Sequence, residues 1–126
     1  MGIYEEHIEG GEFDWFAIDR AGEIALFATA GEGSIPIAVI NNHIEHSNIS
    51  NTLNSPNWGS DKVWDDYAIL GFYVFDWELH GGSYNRKSIP LSVITSELKS
   101  KIISITDIPK LDVIFSEINS VSQNKF

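Results

Sequence analysis

The sequence predicts an α+β domain: an antiparallel sheet of about five strands with one or two helices packed on it. Three observations carry this. Residues 13–18 alternate on a two-residue period and are rich in strand formers, and "DRAG" (19–22) turns the chain back into "EIALFAT" (23–29). A second block, residues 66–90, holds the strongest strand signal in the chain, followed by a glycine turn and a return. Between them lies one stretch with helical spacing.

In chain order, Phe13, Trp15 and Ala17 alternate with Asp14, Phe16 and Ile18. This strand is apolar on both sides, so the sequence predicts cover on both. Asp19 opens the turn and Gly22 closes it. "AGEGSIP" (30–36) then leaves the sheet, with Ser34 expected as an N-cap and Pro36 in the first helical turn. Ile37, Ile40, Ile44, Ile49 and Leu53 approximate one helical face, interrupted by asparagines that disfavour a helix interior. "SPNWGSDK" (55–62) ends that helix. "DYAILGFYVFDWEL" (66–79) is read as a strand, "HGGS" (80–83) as a turn, and "YNRKSIPLSVI" (84–94) as its partner, with Pro90 marking its end. "SELKSKIISITDI" (96–108) reads as a short helical turn leading into a last strand near Ile102–Ile105. Leu111, Ile114, Phe115 and Ile118 form a second helical stripe. Residues 119–126, "NSVSQNKF", are polar and expected to fray.

With 126 residues and 43% hydrophobic content, residues 1–126 are expected to form one domain with a core of its own. Cysteine is absent, which removes disulfides and thiolate metal sites. The opening "MGIYEEHIEGGEFDW" lacks a basic segment followed by an apolar one, so no secretory signal is expected, and Glu6 stands where a myristoylation signal wants Ser or Thr. No apolar run approaches the roughly 18 residues of a membrane helix. A cytoplasmic protein without membrane partners is expected.

The formal net charge is −10 and is unevenly spread. Residues 1–80 hold fourteen Asp/Glu against Arg20 and Lys62, and residues 81–126 hold four against six Lys/Arg. Such a surface repels phosphate backbones, so direct nucleic-acid binding is disfavoured. It either serves solubility alone or steers a cationic partner into contact.

Candidate chemistry is sparse. The Gly31–Glu32–Gly33 loop lies between a strand and a helix, where phosphate loops sit, but the dinucleotide and P-loop spacings are missing and Glu32 would repel the anion. A structural turn is the better reading. His43 and His46, three apart with Glu45 beside them, either share a helix face as zinc ligands or are solvated polar residues on an exposed face. Asp76 and Glu78 would point to the same side of a strand about 7 Å apart at ~3.3 Å per residue, as a carboxylate pair or as a solvated acidic face. His80 is read as a turn residue. No nucleophile elbow occurs. What recurs is acid next to tryptophan: Asp14–Trp15, Trp64–Asp65–Asp66, Asp76–Trp77–Glu78, with Asp61 nearby. Trp15 and Trp77 are expected in the core; Trp58 and Trp64, in a connection bounded by Gly, Pro, Asn and Ser, are expected to be exposed.

Two blocks, residues 13–36 and 71–90, resemble a group of small bacterial immunity proteins encoded beside polymorphic or contact-dependent growth inhibition toxins. The resemblance rests on Asp14, Trp15, Phe16, Ala17 and Asp19, then Gly31, Glu32, Gly33 and Pro36, then Phe75, Asp76 and Trp77, and finally Gly82, Tyr84 and Arg86. It implies a non-catalytic protein, with no cofactor, that binds the basic C-terminal domain of its cognate toxin, most often a nuclease, and covers its active site. The acidic and aromatic residues expected at loops and strand ends, Glu32, Asp61, Trp64, Asp65, Asp66, Glu78 and His80, are the candidate contacts. The alternative is a small metal- or carboxylate-dependent enzyme using His43/His46 or Asp76/Glu78.

Overall fold

A computed structural model describes residues 13–77 and 83–126 of the chain. Five strands form one sheet in the order β1 (Asp14–Ile18), β2 (Ile24–Ala28), β3 (Tyr73–Trp77), β4 (Tyr84–Ser88) and β5 (Ser120–Val121). Neighbours pair antiparallel except β2 and β3, which run parallel. The class is α+β with the expected five strands, but the sheet is mixed, not purely antiparallel. A parallel pair needs a long crossover, and residues 29–72 supply it. That crossover carries α1 (Ile37–Asn41), α2 (His43–Ser50) and α3 (Val63–Leu70); α4 (Ser96–Ile103) follows β4.

The β1–β2 hairpin forms as expected, with Asp19 as its organiser. One carboxylate oxygen accepts the Ala21 and Glu23 amides at 2.9 Å each, and the other accepts the Phe115 amide at 2.9 Å, tying the turn to the C-terminal chain. The single helix expected after Pro36 is two, broken at Asn42. The Asn42 side chain donates to the Ala38 carbonyl at 2.8 Å, offering the backbone a local alternative to helix continuation. The buried positions also differ: Val39 and His46 face inward, while Ile37 and Ile44 are exposed. Ser34 does not cap the helix; its hydroxyl donates to Gln123.

Residues 66–70, expected in a strand, complete α3 instead. Gly71 ends that helix at φ +107, and a Cβ there would lie 2.5 Å from the Ile94 amide nitrogen, so both conformation and space require glycine. Residues 96–103 are a helix started by Thr95, whose hydroxyl accepts the Leu98 amide at 3.2 Å; no strand follows at Ile102–Ile105. Leu111, Ile114, Phe115 and Ile118 do not lie on a helix. Their segment is irregular, with one 3-10 turn at Phe115–Glu117. In the C-terminal tail β5 pairs with β4, and Phe126 packs edge-on against Trp15 at 5.3 Å.

Period-two alternation divides the core between the two faces of the sheet. On one, Trp15, Phe27, Phe75, Trp77 and Tyr84 pack with Phe115, Val121 and Val39. On the other, Phe16, Ile18, Leu26 and Val74 pack under Val63, Tyr67 and Ile102 of the helices. Trp15 and Trp77 are core residues, as expected. The outer edge of β1 is closed by other parts of the chain, which removes a template for intermolecular pairing. Ile18 donates to Pro109 and accepts from Leu111, and the Phe16 amide donates to His46 Nδ1 at 3.1 Å.

Candidate functional site

Where β2 and β3 end and β1 begins, the helical layer leaves the sheet uncovered and the surface dips into a cleft of about 730 Å³. Asp14, Ala28 and Asp76 come from strand ends on the helical face, and Lys87 comes from the irregular β3–β4 register. The end of α2 contributes Ser47, Ser50 and Asn51. The connection contributes Trp58 and Asp61, and α3 contributes Trp64 and Tyr67. The lining thus includes three acids, Asp14, Asp61 and Asp76, one base, Lys87, and two tryptophans. A volume of this order suits a small molecule or a short stretch of polypeptide.

Alternation explains two of the acids. Trp15 and Trp77 point into the aromatic face, so Asp14 and Asp76 must point to the opposite one. The Tyr67 hydroxyl donates to Asp14 at 3.4 Å; burial, then the Asp14 charge, push that phenol's pKa above its ordinary value and keep it a donor.

The contact residues expected from sequence fall into five groups. Asp61 and Trp64 line the cleft together. Asp65 is exposed on the first turn of α3, next to the cleft lining. Asp66 turns inward: it is 6% exposed, and its carboxylate accepts the Asn57 amide at 2.7 Å and the Asn57 side chain at 2.8 Å. Neighbouring positions on a helix lie about 100° apart around the axis, which sends Asp65 out and Asp66 in. Glu32 is exposed in the loop after β2, outside the cleft lining. Glu78 and His80 lie outside the described residues. Trp58 was expected to be exposed and is, at 68%; it joins Asp14 and Asp76 as a site residue that the sequence pattern alone did not bring together.

The turn reading of the Gly31–Glu32–Gly33 loop holds on geometry. Its three amides are already engaged: Gly31 donates to the Thr29 hydroxyl, and Glu32 and Gly33 donate to the Thr29 carbonyl. A cradle whose donors are all used internally cannot hold an anion. Gly33 is held close for packing, since a Cβ would lie 2.5 Å from the Tyr84 hydroxyl.

The histidine pair does not converge. His43 Nδ1 lies 3.1 Å from the Ile40 carbonyl oxygen. His46, expected on a solvated face, is fully buried and stacked on Phe16 at 6.0 Å. Because its Nδ1 accepts the Phe16 amide, the proton sits on Nε2, which has no hydrogen-bond partner among the described residues. Burial lowers its pKa to about 4, with Glu45 pulling weakly the other way. Among the described residues no three His, Asp or Glu side chains are placed to hold a metal ion. No helix of the described residues is long and apolar enough to cross a membrane. Comparison of the chain with protein-family models, with curated proteins and with solved structures finds no match.

Proposed function

We propose that this chain is a cytoplasmic immunity protein. It binds the basic C-terminal domain of a cognate toxin, a nuclease, and keeps nucleic acid out of its active site without transforming anything itself. The observation that carries this reading is the open cleft, whose lining holds Asp14, Asp61 and Asp76 with Lys87 and two tryptophans, one of them largely exposed. A nuclease lines its active site with cations to hold phosphates. Carboxylates presented there compete with the nucleic acid on the same electrostatic terms, and indoles supply the desolvated contact that charge alone lacks. The net charge of −10 accelerates capture of a cationic partner and makes the rate fall with salt. The resemblance of residues 13–36 and 71–90 to immunity proteins supports the same reading, though those residues are mostly strand, turn and core.

The test is co-purification with, and protection against, the basic polypeptide encoded by the neighbouring gene. Asp61→Lys with Asp65→Lys should weaken binding by about 100-fold or more, since like charges brought together at an interface cost several kcal/mol. Both side chains are exposed, so the thermal transition should stay put. Unchanged affinity in the double variant, or a neighbour-encoded domain that does not bind, overturns the proposal. Asp66 is left intact in this test because its loss would disturb the loop it holds.

A further inference from the structure

The cleft has a feature that acidity alone does not explain. Trp58 stands 68% exposed, yet the chain around it is fixed. Its amide donates to the Ser55 carbonyl at 3.1 Å. Asn57, one residue before it, is gripped at two atoms by the buried Asp66 carboxylate. Ser60 returns two hydrogen bonds to the Asn57 carbonyl, at 3.1 and 3.0 Å. A large apolar ring thus stands in water at the rim of a cavity, on a backbone that a buried side chain fixes. An exposed tryptophan on a fixed backbone suits a docking site, because tryptophan is enriched among the residues that carry binding energy and little backbone freedom remains to be lost on contact.

From the shape of the cavity, its mixed lining and this exposed indole, we infer that the cleft is a receptor for an arginine side chain carried on a cationic polypeptide. The guanidinium lies against the Trp58 indole, and the carboxylates of Asp14, Asp61 and Asp76 supply the counter-charge. Arginine fits better than lysine: its planar, weakly hydrated cation stacks on an aromatic face and offers paired N–H groups to a carboxylate, whereas an ammonium is a strongly hydrated point charge. At about 730 Å³ the cleft also has room for residues flanking the arginine, and Ala28 and Ala30 give it a small apolar floor. This assignment rests on the inhibitory reading above and specifies how the partner enters.

The experiment follows the four indole N–H signals of the labelled full chain by NMR while acetyl-Gly-Arg-Arg-Gly-amide is added. The lysine analogue and spermidine are titrated in parallel. Saturable shifts at Trp58 and Trp64 are expected, with Trp15 and Trp77 unmoved. The arginine peptide should bind several-fold tighter than the lysine one, and Trp58→Ala should weaken it about tenfold. Trp58→Phe, which keeps an aromatic face, should recover part of that loss. No saturable shift, equal or stronger binding of lysine or spermidine, or full binding by Trp58→Ala overturns the receptor. The two readings separate when Trp58→Ala also meets the toxin domain. Peptide binding lost with protection intact removes this cleft from the inhibition and leaves the receptor standing; absence of peptide binding to the wild-type chain removes the receptor whatever the toxin does.

Discussion

Leu26 and Phe27 are adjacent, both fully buried, and belong to different worlds. Leu26 points into the helical face, Phe27 into the aromatic one. Around Phe27 the rings of Trp15, Phe75 and Tyr84 stack or meet edge-on at 4.3, 5.0 and 5.1 Å, with Phe115 and Phe126 closing the rim. Much of that face is sealed by an irregular C-terminal chain, because large planar side chains fill the space themselves. The helical face mixes aliphatic side chains with Phe16 and Phe72 over its middle, under α2, α3 and α4, and turns polar at the strand ends, where the cleft opens. The cleft is the place where the helical layer stops. Scaffold and site therefore lie back to back on the same strands, separated by one position of alternation.

The comparison is sharpened most by paired truncations. Phe27→Ala should destabilise the chain by about 3–5 kcal/mol and Leu26→Ala by about 2–4, because each loses buried area and leaves a cavity. Urea titrations of both variants check the order. A Leu26→Ala loss larger than that of Phe27→Ala would mean that the helical face is the better packed of the two.

His46 is the weak point of the helical face. Unfolded, its imidazole has a pKa of 6.5; folded, about 4. Between those values the unfolded chain binds a proton that the folded one does not, so stability falls as pH drops through this window and levels off below it. The total is roughly 3 kcal/mol. Protonation would also turn the acceptor of the Phe16 amide into a donor and open the edge of β1. His46→Gln keeps an acceptor and removes the titration. Stability measured at pH 7.5 and pH 4 should fall further in the wild-type chain than in this variant. Equal losses would show that His46 is not held neutral in the fold.

On the aromatic face the corresponding tight spot is Gly33. Its added methyl would meet the Tyr84 hydroxyl, which accepts from Trp15 Nε1 at 3.2 Å and donates to the Ser34 carbonyl at 2.8 Å. Gly33→Ala should cost about 1–3 kcal/mol by overpacking. Removing the hydroxyl in Gly33→Ala/Tyr84→Phe should recover part of it, which a thermal-shift series on the two single variants and the double one reads directly. If Gly33→Ala costs as much in the Tyr84→Phe background as in the wild-type chain, the strain lies elsewhere, against the Thr29 backbone.

Sequence legibility followed the range of the interactions. The β1–β2 hairpin and the antiparallel β3–β4 pair were readable because their signals are local: alternation, and Asp19 at the first turn; residues 80–82 of the second expected turn lie outside the described residues. Helix α3 was misread because "DYAIL" runs into "GFYVF" as one apolar stretch, and short apolar runs do not distinguish strand from helix. What decides the matter is the left-handed Gly71 and the Leu91 amide on the Ala68 carbonyl, a contact from beyond β4. The C-terminal stripe looked helical, but the segment is pinned by the Asp19 carboxylate 96 residues away. Likewise His46 is a core residue because a strand amide distant in sequence needs its nitrogen. In the site, Asp61 was legible from its place in a polar connection; Trp64, expected exposed in the same connection, lies instead on α3 and is half-buried against the helical-face core. Asp66 was not legible, since an acid in an acidic run gives no sign of which neighbour turns inward.

The smallest expected effect decides whether the cleft is a site at all. If Trp58 is held out for a partner, the fold does not need its ring, and Trp58→Ala should change stability by no more than about 0.5 kcal/mol, as for other exposed positions. The Asp66–Asn57 bonds that set the loop involve the backbone and side chain of residue 57, so they survive the substitution. A loss above about 1 kcal/mol by urea denaturation would mean that the indole packs on its own chain in solution. The helical face would then be closed over the strand ends like the aromatic one, and the contrast between scaffold and site would disappear. A neutral substitution, together with a lost protection phenotype, places the function of Trp58 outside the folded chain, on whatever enters the cleft.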